Sequence, residues 1–305
     1  MPSPDMTALP DFVILGAQKS ASTFLQDQMA QHPSIDIASG ESRHFEDQEY
    51  FNGGTEKVRE LFSATRPGMV RGIKRPDYLG RPEVAPRIAK HLPHARLLVV
   101  IRDPISRAIS SYYHFARRSF VPLLPLDEAF SRLLDGELAN SYPRASEILT
   151  YGLYGQHIQR YLQFFPPDQL LVFDQHALIE NPAASIRQAF EFVGVNPSFT
   201  PRPGKVSNQG VYSPVRLRLL RTKNQVQFRY TPSLDWRYPK RPGPLGYLWA
   251  ASVVTIDRQV LARFDRTSRP QLPGDLADRL RSYYAADAEL LATLLPEDRA
   301  PAWLA

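Results

Sequence analysis

Residues 16 to 23 read GAQKSAST, which puts a glycine, one ammonium and three hydroxyls into a single short loop. Side chains of these types donate hydrogen bonds, and their natural ligand is an anion. The ATP-type loop G-x-x-x-x-G-K-[ST] carries its lysine after a second glycine. Here Lys19 comes third after Gly16, and the loop holds no Gly-Lys pair. A strand-loop-helix junction still offers bare N–H groups and a positive helix end, and so holds an anion whatever the loop's spelling. A second constellation lies in VVIRDPISRAISSYYH, where Arg102 follows an apolar run and Ser110 stands eight residues on. Asp103 and Ser110 are about two helical turns apart, so they share a face and Ser110 points back toward Arg102. A guanidinium fork plus a hydroxyl suits a phosphate monoester.

These groups need rigid elements behind them. DFVILGA (11–17) is a short apolar run ended by glycine and reads as a buried parallel strand. In STFLQDQMAQHP, Phe24, Leu25, Gln28 and Met29 fall on one helical face and Pro33 ends the pattern. MVRGIKRPDYL (69–79) reads as a strand leaving through a polar loop, and RLLVVIRDP (96–104) as the clearest strand in the chain. Asp103 can cap the helix that follows, with Pro104 at its first position and Ile105, Ile109, Tyr112, Tyr113 and Ala116 at core spacing. QLLVF (169–173) is a further strand. PAASIRQAFEFVGV (182–195) is an amphipathic helix with Ile186, Phe190 and Val193 inward and Gly194 as its stop. Leu276, Leu280, Tyr283, Leu291 and Leu294 mark a terminal helix over 274–295. Strands alternating with helices predict an α/β fold, with a mostly parallel central sheet flanked by helices. We read residues 1–305 as one domain, with a core over 11–200. The basic, proline-rich, aromatic stretch 201–260 reads as long loops and excursions.

Composition narrows the function. The chain has 37 Lys+Arg against 31 Asp+Glu, a formal charge of +6 that fits an anionic small ligand but does not argue for nucleic acid. It has no cysteine, which excludes disulfides, thiolate metal sites and cysteine nucleophiles. The N-terminus carries no basic-then-apolar run, and LGYLWAASVVTI (245–256) is too short to span a bilayer, so the expectation is a cytoplasmic protein. His32, His114, His157 and His176 show no metal spacing and read as surface or capping residues.

The loop pattern G-x-x-K-[SG]-[GA]-[ST]-[ST] directly after the first strand resembles the 5′-phosphosulfate loop of the sulfotransferases that use 3′-phosphoadenosine 5′-phosphosulfate (PAPS). The strand ending in Arg102, with Ser110 beyond it, looks like that family's 3′-phosphate motif. The resemblance is to the bacterial, glutamate-base type related to the heparan sulfate and other glycan enzymes, with a P-loop-kinase-like fold. It implies PAPS as donor, adenosine 3′,5′-bisphosphate (PAP) as product, and no metal. Donor-binding positions carried over are Gln18, Lys19, Ser20, Ala21, Ser22, Thr23, Phe24, Arg102 and Ser110. Lys205 and Asn208 in GKVSNQG are added from the loop that closes over the nucleotide. Ala21 stands where the family usually has glycine. SGESRHFED (39–47) matches the segment carrying the base, with Glu41 as base, Phe45 in the aromatic place and Gly40 in place of the usual lysine; an alternative register makes His44 the base. GIKRPDYL (72–79) resembles the next block, aligning Lys74, Pro76 and Tyr78, with Ile73 in place of an acid; Lys74 then reaches the sulfuryl group or acceptor. Trp303 resembles the final tryptophan of bacterial members.

The resemblance implies in-line sulfuryl transfer to a hydroxyl or amine, with Lys19 stabilising the leaving phosphate. The acceptor reads as a glycan, a lipid-linked sugar or a small metabolite. Tyr230, Trp236, Tyr238, Tyr247 and Trp249 among basic residues suit a sugar cleft, contact with an anionic membrane surface, or ordinary packing of a flap. Two other readings stay open: a P-loop-like nucleotide kinase or NTPase, and a nucleotide-binding relative without turnover.

Overall fold

The computed structural model describes residues 9–204, 210–234, 236–296 and 300–304. These form two compact units, one from residues up to 103, 153–207 and 286 onward, the other from 104–152 and 208–285. The first unit holds a five-stranded sheet in the order β2-β3-β1-β4-β5, formed by β1 (Phe12–Gly16), β2 (Ile35–Ile37), β3 (Val70–Lys74), β4 (Arg96–Ile101) and β5 (Leu170–Asp174). Every neighbouring pair is parallel. The four longer strands are the apolar runs expected from the sequence. The three-residue β2 was not anticipated, because IDI is too short to show a period.

Alternation along the strands divides the core into two layers. Val13, Leu15, Ile73, Leu97, Val99 and Ile101 face one side, covered by helices Val84–His91 and Tyr154–Leu162. Phe12, Ile14, Leu98, Val100, Leu171 and Phe173 face the other, covered by α1 (Ser22–Met29) and helix Pro182–Val193. All four α1 residues assigned to its inward face are buried, and Gly194 closes helix Pro182–Val193 with φ 82°. Asp287 accepts from the Gly155 and Gln156 N–H groups at 2.9 Å each, capping helix Tyr154–Leu162. Trp303 packs against the same layer and donates from Nε1 to Asp174 Oδ1 at 3.3 Å. Two histidines depart from the surface reading. His32 is buried between the Phe190 and Phe199 rings and accepts from Ser34 N–H, and His157 is buried as well.

The second unit carries helix Pro104–Arg117, helix Pro214–Gln227 packed against it, and helix Pro244–Ile256. A short antiparallel hairpin joins β6 (Phe228–Tyr230) to β7 (Arg237–Pro239). The expectation of long loops over 201–260 is therefore corrected: much of it is helical. Pro214 and Pro244 sit at the first helical positions, where a missing N–H costs nothing. Helix Pro214–Gln227 buries only Leu217 and Asn224, so it carries no apolar period to betray it. Tyr230 donates to the Arg118 carbonyl at 2.6 Å, while Tyr247 and Trp249 are exposed. Among the described residues, no helix is long and apolar enough to cross a membrane.

Candidate active site

Three segments of the first unit leave the carboxyl ends of three adjacent strands, β3, β1 and β4. The chain runs outward from β1 to β2 and β3, then returns across β1 to β4. This reversal of strand order is where open parallel sheets bind ligands. The Lys19 loop follows β1, Arg102 follows β4, and Lys74 ends β3.

The loop after β1 is tightly specified. Gly16 has φ 133°, and a Cβ there would lie 2.4 Å from the Pro76 carbonyl oxygen, so only glycine fits. Lys19 and Ala21 adopt left-handed φ of 67° and 69°. Ala21 is thus held where the family's usual glycine would be unstrained, at about 1 kcal/mol. No side chain caps α1, so its first-turn N–H groups keep no intrahelical acceptor. Ser20 is fully buried and its hydroxyl has no hydrogen-bond partner among the described residues. An uncapped helix start beside an orphaned buried hydroxyl and a lysine fits a phosphate-type anion. Ser22 is buried in the first turn of α1. The Phe24 side chain packs into the core, which leaves only its backbone for a ligand.

Arg102 meets this loop: its Nη1 donates to the Lys19 carbonyl at 3.2 Å. The two sequence motifs therefore touch within the first unit. Ser110 is buried on helix Pro104–Arg117 in the second unit. Lys205 and Asn208 lie outside the described residues.

Lys74 and Glu41 come together on the other side of β1. Ala38 N–H donates to Gly72 O and Ser42 N–H to Lys74 O, both at 2.9 Å, which lays segment 38–42 along the end of β3. Gln26 of α1 fastens it by donating to the Ala38 carbonyl at 2.9 Å and to the Gly40 carbonyl at 3.3 Å. Gly40 has φ 81° with open space around it, so the residue in place of the family's lysine answers to backbone conformation. Lys74 is buried, and its Nζ donates to Thr23 Oγ1 at 2.9 Å. Burial lowers the ammonium's pKa, while Glu41 and Asp27 pull it upward.

Sequence reading missed the centre of this cluster. Arg75, with a side chain 4% exposed, forms ion pairs with Glu41, Glu46 and Asp77. Glu46 and Asp77 are buried at 3% and 6%, whereas the Glu41 side chain is 38% exposed. Gln18 links the hub back to the loop by donating to Asp77 Oδ1 at 3.0 Å. Burial raises the Glu46 carboxyl's pKa despite the adjacent guanidinium. The hub had a sequence signal: Arg75 between Lys74 and Pro76 at a strand end, with carboxylates at 41, 46 and 77 to answer it. His44 lies apart. Burial lowers its pKa, its charged neighbours are Glu49, Lys57 and Glu60, and its Nδ1 is buried with no partner among the described residues. Glu41, in contrast, shares its field with Lys74 and Arg75.

Comparison with known proteins gives the family and the fold. A family model described as "Sulfotransferase domain" matches residues 9–211. Heparan sulfate glucosamine 3-O-sulfotransferase 3B1 of Mus musculus is 29% identical over 187 residues, which are 61% of this chain and 46% of that protein. Bifunctional heparan sulfate N-deacetylase/N-sulfotransferase 3 of Homo sapiens is 31% identical over 201 residues, covering 63% of this chain and 23% of that protein. The chain thus spans less than half the length of these curated relatives. The solved structure of a sulfotransferase from Alicyclobacillus acidocaldarius superposes with a TM-score of 0.64 at 22% identity, over 94% of this chain and 96% of that one. At that identity the likeness is one of fold.

Proposed function

This chain belongs to the sulfotransferase domain family, and on that premise we propose that it moves a sulfuryl group from PAPS to a hydroxyl of a glycan-like acceptor. The observation that carries the reading is that two adjacent residues at the end of β3 engage both parts of the site: Lys74 donates to Thr23 of the anion loop, and Arg75 pairs with the solvent-reaching carboxylate of Glu41. In this reading the uncapped start of α1 and the Ser20 hydroxyl hold the 5′-phosphate end of the donor. Lys19 stands by the oxygen that departs with the bisphosphate and takes up its growing charge. Arg102, already braced on the loop carbonyl, supplies the second anion contact. Glu41 accepts the acceptor's proton as the new oxygen–sulfur bond forms and the bridging bond breaks. Arg75 takes Glu41 Oε2 and so fixes the carboxylate's orientation, leaving Oε1 for the acceptor. Lys74 steadies the transferring group from the Thr23 side.

The two mammalian relatives bear names of heparan sulfate enzymes, which supports a sugar acceptor. A nucleotide kinase would need the Gly-Lys-[ST] order that this loop lacks. The test is Glu41→Gln, assayed by radiosulfate transfer from labelled PAPS into a sugar-acceptor panel, with PAP binding measured in parallel. We expect PAP affinity to stay within about twofold while turnover falls about 100-fold or more, the scale of a lost base. Full turnover in the variant removes Glu41 from the mechanism. Failure of the parent to bind PAP removes the reading as a whole.

A further inference from the structure

The second unit contains a polar cavity of about 460 Å³, in the size range of small-molecule sites. Arg117, Arg118, Arg216, Lys223, Arg237 and Arg258 line it. They come from helix Pro104–Arg117 and the residue after it, helix Pro214–Gln227, strand β7, and the turn that continues helix Pro244–Ile256. Asp257 is the one carboxylate in the lining, and it is already committed: Arg216 spans it with Nε and Nη2 at 2.8 and 3.2 Å. The remaining nitrogen of that fork, Nη1, donates to Asp265 at 2.6 Å. The acids therefore engage Arg216 first, and the lining gathers six cations around the single carboxylate Asp257.

Fixed backbone holds these cations in place. Asn224 donates to the Arg117 carbonyl at 2.7 Å, and Tyr230 to that of Arg118 at 2.6 Å. The Arg237 guanidinium lies 3.9 Å over the Phe228 ring, and its Nη1 is buried with no hydrogen-bond partner among the described residues. The cost of gathering like charges is visible in their titration. Burial first, then Arg117, Arg237 and Arg258 lower the Lys223 pKa, and burial followed by Arg237 lowers that of Arg117, with Asp257 pulling both upward but not enough to reverse the shift. A buried donor left without an acceptor costs about 1–3 kcal/mol. Convergent cations with an orphaned donor are the arrangement that an entering anion relieves.

We propose that this cavity binds a compact multivalent oxyanion, one bearing two or more phosphate or sulfate groups on a small scaffold. No residue of the Lys19 loop takes part, so the proposal goes beyond the transfer reading above and does not depend on it. Exposed cations such as Arg258 admit the ligand, and the half-buried guanidinium of Arg237 receives its innermost oxygen.

The test is calorimetric titration of the full chain with inorganic pyrophosphate. Three proteins are compared: the parent, the double variant Lys223→Gln/Arg258→Gln, and the loop variant Lys19→Met. Pyrophosphate is expected to bind the parent and the Lys19→Met protein alike. The double variant should bind at least about tenfold more weakly, the scale of losing charge-assisted hydrogen bonds. Added salt should weaken binding to the parent through screening. Unaltered thermal unfolding of the double variant, which changes exposed or half-buried side chains, shows that the fold survives. Binding that disappears in Lys19→Met but persists in the double variant places the anion in the loop and overturns the proposal, as does no binding to the parent. Two further arms, a doubly sulfated disaccharide and an inositol polyphosphate, identify the carrier: the tighter of the two names the ligand's source.

Discussion

Replacing Arg75 by methionine keeps much of the side-chain volume and removes the guanidinium that forms ion pairs with three carboxylates. Glu41 is partly exposed and can turn to water, but Glu46 and Asp77 are almost fully enclosed and cannot. Breaking a buried ion pair by removing one partner costs about 3–5 kcal/mol, because an uncompensated charge stays behind. For a unit of this size that is a fall in Tm of about 6–20 °C. The loss has a pH signature. Burial already raises the Glu46 pKa above its ordinary 4.5, and Arg75 is the main force opposing that rise. Without Arg75 the folded-state value climbs further. A carboxyl with a raised folded pKa contributes stability that is present below the unfolded pKa and is lost as pH rises through the folded one. The deficit of Arg75→Met relative to the parent should therefore be smallest near pH 4.5 and grow as pH rises. The assay is thermal unfolding followed by circular dichroism at about pH 5 and about pH 8 in one ionic strength. An equal Tm loss at both values, or a loss under about 2 °C at the higher one, would refute the view that Arg75 holds these carboxylates through its charge.

Lys74→Met should separate stability from turnover: burial disfavours the ammonium, so Tm should hold or rise, while transfer falls about 100-fold if Lys74 steadies the sulfuryl group. Equal turnover in the variant and the parent would remove that role. Ala21→Gly relieves a left-handed φ of 69° and should raise stability by up to about 1 kcal/mol, read as a shift in the urea midpoint with an unchanged slope. A lower midpoint would refute the strain argument. Gly16→Ala puts a methyl 2.4 Å from the Pro76 carbonyl, backbone against backbone, and should abolish PAP binding even in any fraction that folds. Parental PAP affinity in that variant would show that the loop's path does not depend on this contact.

Local pattern alone determined the frame. Runs such as FVILG and LLVVI are buried on both faces, so they read as parallel strands without reference to anything distant. The Lys19 loop and Arg102 were legible for the same reason, since each is a short stretch whose place at a strand end is set by its neighbours in the chain. Tertiary structure decided what lies between such stretches. The sheet order brings the ends of β3, β1 and β4 side by side, so Arg102 reaches the Lys19 carbonyl across 83 positions of chain. Lys74 likewise reaches Thr23 across 51 positions. The same convergence turned Arg75, an unremarked residue in KRPDY, into the hub for carboxylates at 41, 46 and 77. It also set Glu41 apart from His44, three residues away, because segment 38–42 hydrogen-bonds to β3 and carries Glu41 to Lys74 and Arg75. Helices Pro214–Gln227 and Pro244–Ile256 escaped notice because proline opened them and few of their side chains are buried, whereas the terminal helix Gly274–Leu294 was legible over 274–295. Hydrophobic period reports burial against a core; where little is buried, only the folded chain shows the helix.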